Sequence, residues 1–366
     1  MTSTPSGGAG TLQAEDRYRL SRHVSIRPVP EGFLVESILS GRSFRLTSPS
    51  VFHVLLALTR PVRIGDLLEA TGEAQRPGLL AFLEQCRELQ ILTVVNDDGL
   101  AEEDRSSLAH WEFHDLLFHV RSRSGRNRWP LGTTYHLRGV LPPEPVFKNG
   151  PSPGIIPLVE PDIERLKRED LPLTRVLEER RTRYRGAPLD LACLGEFLYR
   201  TCRVTGVIEA GGEHLAHRVY PSGGSLHALE VYVVASRCQG LVPGVYHYRA
   251  GQHGLAPVSD VNDEVRELLR EVRARTGDQL SQDPPVLLVL TARFRRVMWK
   301  YQSIAYRCIL AEVGALYQTM YLVATAMGLA PCAIGAGDSD RFARVAGTDY
   351  YGETSVGEFV LAGRLD

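Results

Sequence analysis

Lysine is scarce in this sequence. The chain has 42 basic residues, but only Lys148, Lys167 and Lys300 are lysines, and 43 acidic residues bring the formal net charge to −1. This balance argues against a protein built to bind a polyanion. It also draws attention to Lys300, because a lysine amine can change its protonation state in a protein and an arginine cannot. The next residue, Tyr301, is a second group that can hold or release a proton.

Paired cysteines and an apolar leader are also missing. The six cysteines form no C-x-x-C pair, which favours reduced thiols over a disulfide framework or a zinc site. His110 and His114 share a helical face, but no third ligand accompanies them, so we expect no metal. No charged and then apolar leader opens the sequence, and Glu312 and Gln318 interrupt the apolar stretch 308–329. We therefore expect a cytoplasmic protein that does not enter a membrane.

The N-terminal part has the pattern of a winged-helix module. Residues 1–20 are poor in apolar groups and are predicted to be a disordered lead-in. Two alternating segments joined across Gly41 predict a hairpin. Apolar spacing then predicts three helices followed by a strand and a turn, in the segments 48–58, 64–68, 79–89, 91–95 and 96–99.

Winged helices most often bind DNA, and the charge of this module tests that reading. Residues 20–99 contain eight arginines, nine acidic residues and no lysine. Duplex binding depends on neutralising several phosphates, and a domain without net positive charge lacks that contribution. We therefore predict a module that docks a peptide or a partner protein, and no nucleic-acid partner.

The length of 366 residues predicts two domains. We place the winged-helix-like domain at 21–105 and the catalytic domain at 166–366. Between them, residues 106–165 are predicted to be a connecting segment, because prolines recur from Pro142 to Pro157.

Four short motifs of the second domain suit the binding of a flat, phosphorylated ligand. A guanidinium cluster at a helix end is suited to a phosphate, and paired glycines let a ring or a phosphate approach the backbone. Each motif alone is weak support. In chain order they are Arg180-Arg181-Thr182, Pro221-Ser222-Gly223-Gly224-Ser225, Lys300-Tyr301, and a glycine-rich turn over 328–337.

In their order and spacing, these motifs resemble the nitroreductase superfamily, and within it the SagB-type dehydrogenases that form thiazoles and oxazoles in modified peptides. The likeness covers roughly residues 160–366. It implies an α+β fold with a central sheet flanked by helices, and a homodimer with FMN in each interface. Lys300 and Tyr301 match the catalytic pair of that family. The residues implied to line the flavin are Arg180, Arg181, Thr182, Pro221, Ser222, Gly223, Gly224, Ser225, Gly335, Ala336 and Arg364.

The sequence departs from the family pattern at a few positions. Thr182 replaces a serine and keeps the hydroxyl group. Ser225 stands where many relatives have asparagine, which puts the usual side-chain contact to the flavin ring in doubt. Ala315 and Thr319 stand where relatives often have histidine and asparagine, so that helix is expected to serve packing.

The resemblance implies an FMN-dependent dehydrogenation of thiazoline or oxazoline rings in a ribosomally made precursor peptide, with a cyclodehydratase as partner. Unperturbed lysine and tyrosine titrate near pH 10, so one of the pair must be shifted to act as a base. Burial of Lys300 would lower its pKa and allow it to act as the base, whereas a charged Lys300 would favour Tyr301 as the base. We favour Tyr301 as the base with Lys300 tuning it, and the reverse assignment stays open. Two alternatives are a general NAD(P)H-dependent reductase of nitro or quinone compounds and a winged-helix regulator with a flavin-sensing domain.

Overall fold

The structure is a computed structural model that describes residues 12–150, 153–277, 279–280 and 282–363. The chain divides into two units, Met1–Leu131 and Gly132–Asp366. The boundary lies inside the segment 106–165 that was predicted to connect the domains. Residues just before it belong to the first unit because they bind a buried carboxylate there. Arg121 and Trp129 both donate to Glu36, at 2.6 and 3.0 Å.

The first unit combines short strands and short helices. The strands are β1 (Arg17–Leu20), β2 (Val24–Val29), β3 (Gly32–Ser37), β4 (Ser43–Leu46), β5 (Val62–Arg63) and β6 (Leu92–Val94). The helices are α1 (Pro49–Ala57), α2 (Ile64–Glu69), α3 (Arg76–Glu88), α4 (Glu102–Arg105) and α5 (Phe113–Arg121). The strand orders are β5-β1-β6 and β2-β3-β4. The predicted hairpin is formed by β3 and β4, the predicted helices are α1, α2 and α3, and β6 is the strand that follows them.

Strand β1 lies at the end of the segment 1–20 that was predicted to be disordered. It is ordered because Tyr18 is buried in the core of the first unit and because β1 pairs with both β5 and β6. The rest of that prediction, on residues 1–11, lies outside the described residues. The assignment of this unit as a winged helix stays a prediction.

The second unit contains the larger sheet. Its strands are β7 (Gly132–Thr133), β8 (Ile156–Pro157), β9 (Leu189–Asp190), β10 (Val204–Ala210), β11 (Glu213–Arg218), β12 (Leu229–Ala235), β13 (Cys238–Gln239), β14 (Gly244–Arg249), β15 (Gly254–Asp260), β16 (Val286–Arg293), β17 (Tyr301–Gln302), β18 (Ala330–Ile334) and β19 (Glu353–Ala362). Its helices are α6 (Ile163–Glu169), α7 (Leu173–Glu179), α8 (Leu191–Cys202), α9 (Asp263–Arg275), α10 (Phe294–Met298), α11 (Ala305–Ala326) and α12 (Ser339–Ala346).

The main sheet is antiparallel, with the strand order β18-β19-β16-β12-β14-β15-β8. Strands β12 and β16 are buried along their whole length, which suits the apolar residues that make up most of each strand. One face packs on α8 and α11 around Phe197 and Phe359, and the other packs on α9 and α12 around Tyr232 and Phe342. This is the predicted α+β arrangement of a central sheet flanked by helices.

Helix α11 is the apolar stretch that the sequence shows after Lys300. Among the described residues it is the one helix long and apolar enough to cross a membrane. Ile309, Leu316 and Met320 on this helix are fully buried in the core of the second unit, so packing accounts for much of its apolar character. Tyr306 and Leu310 on the same helix are exposed, at 42% and 38%.

Residues 141–146, which we call the strap, are part of the proline-rich segment and are tied to the second unit through their carbonyl groups. Trp299 Nε1 donates to the carbonyl of Leu141 at 2.7 Å, and Arg296 Nη1 to that of Glu144 at 2.6 Å. Arg293 donates to the next two carbonyls, at 3.0 and 2.8 Å. Buried Arg296 also donates to the carbonyl groups of His214, Leu226 and His227. The strap is therefore not a free linker.

Candidate active site

The predicted glycine loop lies between β11 and β12 and contacts Tyr301. Gly224 has a φ of +64°, and a Cβ added there would lie 2.5 Å from the Tyr301 hydroxyl oxygen. Glycine is therefore needed for both the backbone conformation and the space. Gly223 lies close to helix α11, since an added Cβ would be 3.3 Å from Cys308. The structure thus brings Pro221–Ser225 and Tyr301 together, and we call these residues with Lys300 the loop cluster.

A buried carboxylate supports the loop from α11. Glu312 Oε2 accepts hydrogen bonds from the Ser222 hydroxyl at 2.9 Å and from the Ala228 amide at 3.3 Å. Burial raises the pKa of Glu312. His227 Nδ1 lies 3.8 Å from Glu312 Oε1, and burial together with the nearby cations lowers the pKa of His227 to about 3. This support could not be predicted from the sequence, in which Glu312 is only an interruption in an apolar stretch.

Lys300 is paired with a carboxylate that no sequence motif indicated. Its Nζ lies 3.0 Å from Glu213 Oε2 at the start of β11, and the hydroxyl of Tyr135 donates to Glu213 Oε1 at 2.6 Å. Burial lowers the pKa of Lys300, but the hydrogen bond and the charge of Glu213 outweigh it, and the net pKa is raised. Burial acts on the pKa of Lys300 in the expected direction, but the carboxylate of Glu213, which the sequence did not indicate, reverses the net shift.

The predicted arginine motif and the second glycine-rich turn also lie together. The Thr182 hydroxyl is 3.0 Å from the hydroxyl of Tyr321 on α11, and Tyr321 accepts a hydrogen bond from the amide of Ala333 at 2.9 Å. The guanidinium of Arg180 lies over the Tyr321 ring, 5.4 Å from its centroid. Gly335 and Ala336 lie two and three residues after Ala333, and both are exposed. We call Arg180, Arg181, Thr182, Gly335 and Ala336 the arginine cluster.

The two clusters are not adjacent within one chain. The loop cluster contacts α11 at Glu312, whereas the arginine cluster contacts it at Tyr321, nine residues later. At 1.5 Å per residue these contacts lie about 14 Å apart along the helix. Arg364, the remaining predicted flavin residue, lies outside the described residues.

A cavity of about 560 Å³ lies away from both clusters. Its lining includes Lys148, Arg218, Glu230, His247 and Arg249 and none of the predicted site residues. Several of these charges are already neutralised by partners. Lys148 pairs with a buried carboxylate at 2.7 Å, and Glu230 with His247 at 2.9 Å. We therefore place the candidate active site at the two clusters that contain the predicted residues.

Comparison with known proteins places the chain in a family. Residues 182–361 match the nitroreductase family, and residues 18–128 match the family described as cyanobactin oxidase ThcOx. A protein of Methanocaldococcus jannaschii named as a nitroreductase, MJ1384, is 31% identical over 178 residues, which are 48% of this chain and 82% of that protein. The chain belongs to the nitroreductase family. The family predicted from the four motifs is thus confirmed, and the protein is an oxidoreductase.

Two further relatives of this nitroreductase-family chain are named for peptide processing. The microcin B17-processing protein McbC of Escherichia coli is 34% identical over 31% of this chain and 42% of its own length. The trifolitoxin-processing protein TfxB of Rhizobium leguminosarum is 32% identical over 33% of this chain and 32% of its own length. The match therefore spans less than half the length of either processing protein.

Solved structures show more distant similarity. A crystal structure described as a nitroreductase from Ralstonia eutropha is 23% identical, covers 65% of this chain and 100% of its own, and gives a TM-score of 0.45. The microcin synthetase McbBCD complex of E. coli with truncated pro-MccB17 is also 23% identical, covers 68% of this chain and 86% of the matched chain, and gives 0.42. The family assignment rests on the sequence relationships and not on these scores.

Proposed function

We propose that the protein oxidises thiazoline or oxazoline rings in a ribosomally made precursor peptide to thiazoles or oxazoles. The observation that carries this proposal is the contact of the Tyr301 hydroxyl with the Gly223-Gly224 loop, next to the paired Lys300. This puts a proton-handling pair against the glycine loop that the family resemblance assigns to the flavin. The cyanobactin oxidase match and the two processing proteins among the relatives support a peptide substrate.

The residues of the arginine cluster fit FMN. Arg180 and Arg181 can bind a phosphate, and the Thr182 hydroxyl can hydrogen-bond to it. Around Gly335 an added Cβ would meet no described atom within 4 Å, so the backbone there is open to a ring. When bound, FMN supplies the hydride-accepting chemistry that an azoline oxidation requires. We propose that Arg364 completes this set, as the family resemblance implies.

We propose that the site is completed by a second copy of the chain. One chain holds the loop cluster and the arginine cluster about 14 Å apart along α11. A homodimer offers a way to place the loop cluster of one copy against the arginine cluster of the other. The exposed apolar side chains Tyr306 and Leu310 on α11 and Leu173 and Leu177 on α7 support an interface on this side of the molecule.

The roles of the two units follow the same proposal. The first unit, matched by the cyanobactin oxidase family, would hold the precursor peptide or dock a cyclodehydratase partner. The second unit would carry the chemistry in the cytoplasm. The domain limits of 21–105 and 166–366 remain a proposal for where these roles divide.

The test is mass spectrometry of an azoline-bearing peptide incubated with the FMN-reconstituted protein. We expect each ring to lose two hydrogens, a decrease of about 2 Da, which is the stoichiometry of conversion to an azole. Turnover of NAD(P)H with small nitro or quinone acceptors, without any change in the peptide, would instead identify a general flavin reductase. A preparation that never takes up flavin would remove the enzyme proposal.

Two substitutions connect the reaction to the proposed residues. Lys300→Ala and Tyr301→Phe should retain the fold and bound FMN, measured by circular dichroism and visible absorbance, and should lose azole formation. Removing one group that moves or stabilises a proton costs roughly 100- to 10,000-fold in rate. Lys167→Ala is the matched control, because Lys167 is exposed and pairs only with the neighbouring Glu164. Full rates in both active-site variants would contradict the roles given to the pair.

A further inference from the structure

Glu213 is the one carboxylate that meets Lys300 in the described part of the chain. The side chains of Lys300 and Glu213 are only 13% and 8% exposed, and Lys300 Nζ lies 3.0 Å from Glu213 Oε2. The second carboxylate oxygen accepts the Tyr135 hydroxyl at 2.6 Å. Both oxygens of Glu213 are therefore used, and the carboxylate is fixed between two elements that are distant in the sequence.

The backbone of Lys300 is also held, by hydrogen bonds from the segment that contains Tyr135. The amides of Thr134 and Tyr135 both donate to the Lys300 carbonyl oxygen at 3.1 Å, and β7 pairs with β17 directly after it. Arg138 stacks on the Tyr135 ring at 3.9 Å from its centroid. Lys300 is thus held at its backbone by the amides of Thr134 and Tyr135. Its side chain is held by Glu213, which the Tyr135 hydroxyl orients.

The side chains of Lys300 and Tyr301 contact different residues of the second unit. Lys300 Nζ binds Glu213, whereas the Tyr301 hydroxyl lies against Gly224 of the glycine loop. The groups that face Lys300 are Glu213 from β11, Tyr135 after β7 and Tyr301 from β17, and Lys300 Nζ is 5.7 Å from the centroid of each tyrosine ring. The only anionic carboxylate in this set favours a protonated amine.

We propose that Glu213 is a positioning residue that holds Lys300 as a fixed cation, which leaves proton acceptance in the pair to Tyr301. This inference rests on the proposed function. An ammonium group has three N–H donors and no lone pair, so it can stabilise negative charge but cannot take a proton. The raised pKa of Lys300 agrees with this assignment. Tyr135 supports it indirectly by orienting Glu213.

The scarcity of lysine permits a direct measurement. Protein labelled with ¹³C at lysine Cε shows only three lysine side chains by NMR, from Lys148, Lys167 and Lys300. Lys148→Arg and Lys167→Arg variants assign the signals. In a pH titration of the full-length protein, we expect the pKa of Lys300 to lie above about 10.4, the ordinary value for a lysine side chain.

The decisive variant is Glu213→Gln. Without the carboxylate charge, burial dominates, and the pKa of Lys300 should fall below its wild-type value and below the ordinary lysine value of about 10.4. Glu213→Asp should restore part of the wild-type pKa. Glu209→Gln is the matched control, because Glu209 lies on the same hairpin, is 77% exposed and pairs with His214. An unchanged Lys300 titration in Glu213→Gln overturns the inference.

A second variant tests the same contact in case the Glu213→Gln protein does not fold. Tyr135→Phe removes only the hydroxyl that orients Glu213, and it should move the Lys300 titration to lower pH by a smaller amount. If neither variant moves it, the inference fails.

The pH dependence of azole formation adds a functional readout. If the reaction needs a charged Lys300, the alkaline limb of the kcat profile should shift to lower pH in Glu213→Gln, with little change in KM. An alkaline limb that stays in place would also overturn the inference. Wild-type protein that oxidises no azoline peptide, while its Lys300 titrates high, would refute the proposed function and leave the Glu213 assignment standing.

Discussion

Placing a methyl group on Gly224 tests whether the glycine loop sets the position of Tyr301. The Cβ of a Gly224→Ala variant would lie 2.5 Å from the Tyr301 hydroxyl oxygen. Ordinary carbon contacts lie near 3.5 Å, so the phenol or the loop must move by about 1 Å. A misplacement of that size at a reacting group costs on the order of 100-fold in rate. We therefore expect azole formation to fall about 100-fold.

The same substitution has a backbone cost that must be separated from the contact. An alanine at a φ of +64° is strained by roughly 1–2 kcal/mol relative to glycine. Gly347→Ala is the matched control, because Gly347 has a φ of +63° and an added Cβ there meets no described atom within 4 Å. Urea unfolding should show similar losses of stability in both variants.

The rates of azole formation by the two variants then show whether the contact between Gly224 and Tyr301 matters for the reaction. The rate is measured by mass spectrometry as the loss of two hydrogens per ring, at saturating FMN. Gly347→Ala should keep nearly the wild-type rate. If Gly224→Ala is as active as Gly347→Ala, the contact does not position Tyr301 for the reaction, and the proposed site loses its main support.

Two predictions concern stability, and urea unfolding measures both. The pKa of His227 is lowered to about 3 in the folded state, against about 6.5 in the unfolded state. Below about pH 6.5, unfolding therefore binds a proton at this histidine. The free energy of unfolding should fall as the pH decreases from about 6.5 toward 3. His227→Asn, which suits the φ of +48°, should lose less stability than wild type between pH 7 and 5, and equal losses would contradict this. Arg296→Lys leaves buried carbonyls without donors and should cost about 2–4 kcal/mol, whereas exposed Arg295→Lys should cost under about 1 kcal/mol. Equal effects would show that the Arg296 network adds no stability.

The parts of the fold that sequence could predict are those with a local signal. Pro49 at the first turn and regular apolar spacing indicated α1, and the apolar run over 286–290 in β16 indicated a buried strand. The motif Lys300-Tyr301 and the glycine loop could be recognised because each is short and continuous. Their contact could only be suspected from family resemblance, since 76 residues separate Gly224 from Lys300.

The partners of Lys300 show why the rest could not be predicted. Glu213 lies 87 residues before Lys300, and Tyr135 lies 78 residues before Glu213. Neither belongs to a periodic pattern or a motif, and nothing in the sequence distinguishes Glu213 from exposed Glu209 on the same hairpin. The direction of the Lys300 pKa depends on this one contact. Burial can be guessed from a sequence, but the charge that accompanies a buried amine is set by tertiary packing.

The strap over 141–146 is anchored by its carbonyl oxygens, which every residue type provides. The Glu144 carboxylate, which pairs with Arg295 at 3.0 Å, and the buried side chain of Val146 add to this anchoring, but the carbonyl contacts set the length of the strap. One inserted or deleted residue moves every later carbonyl by about 3.5 Å, further than a hydrogen bond tolerates. We therefore expect diversification of this segment to preserve its residue count, and we expect loop grafting or tag insertion here to fail where point substitution away from Glu144 and Val146 succeeds.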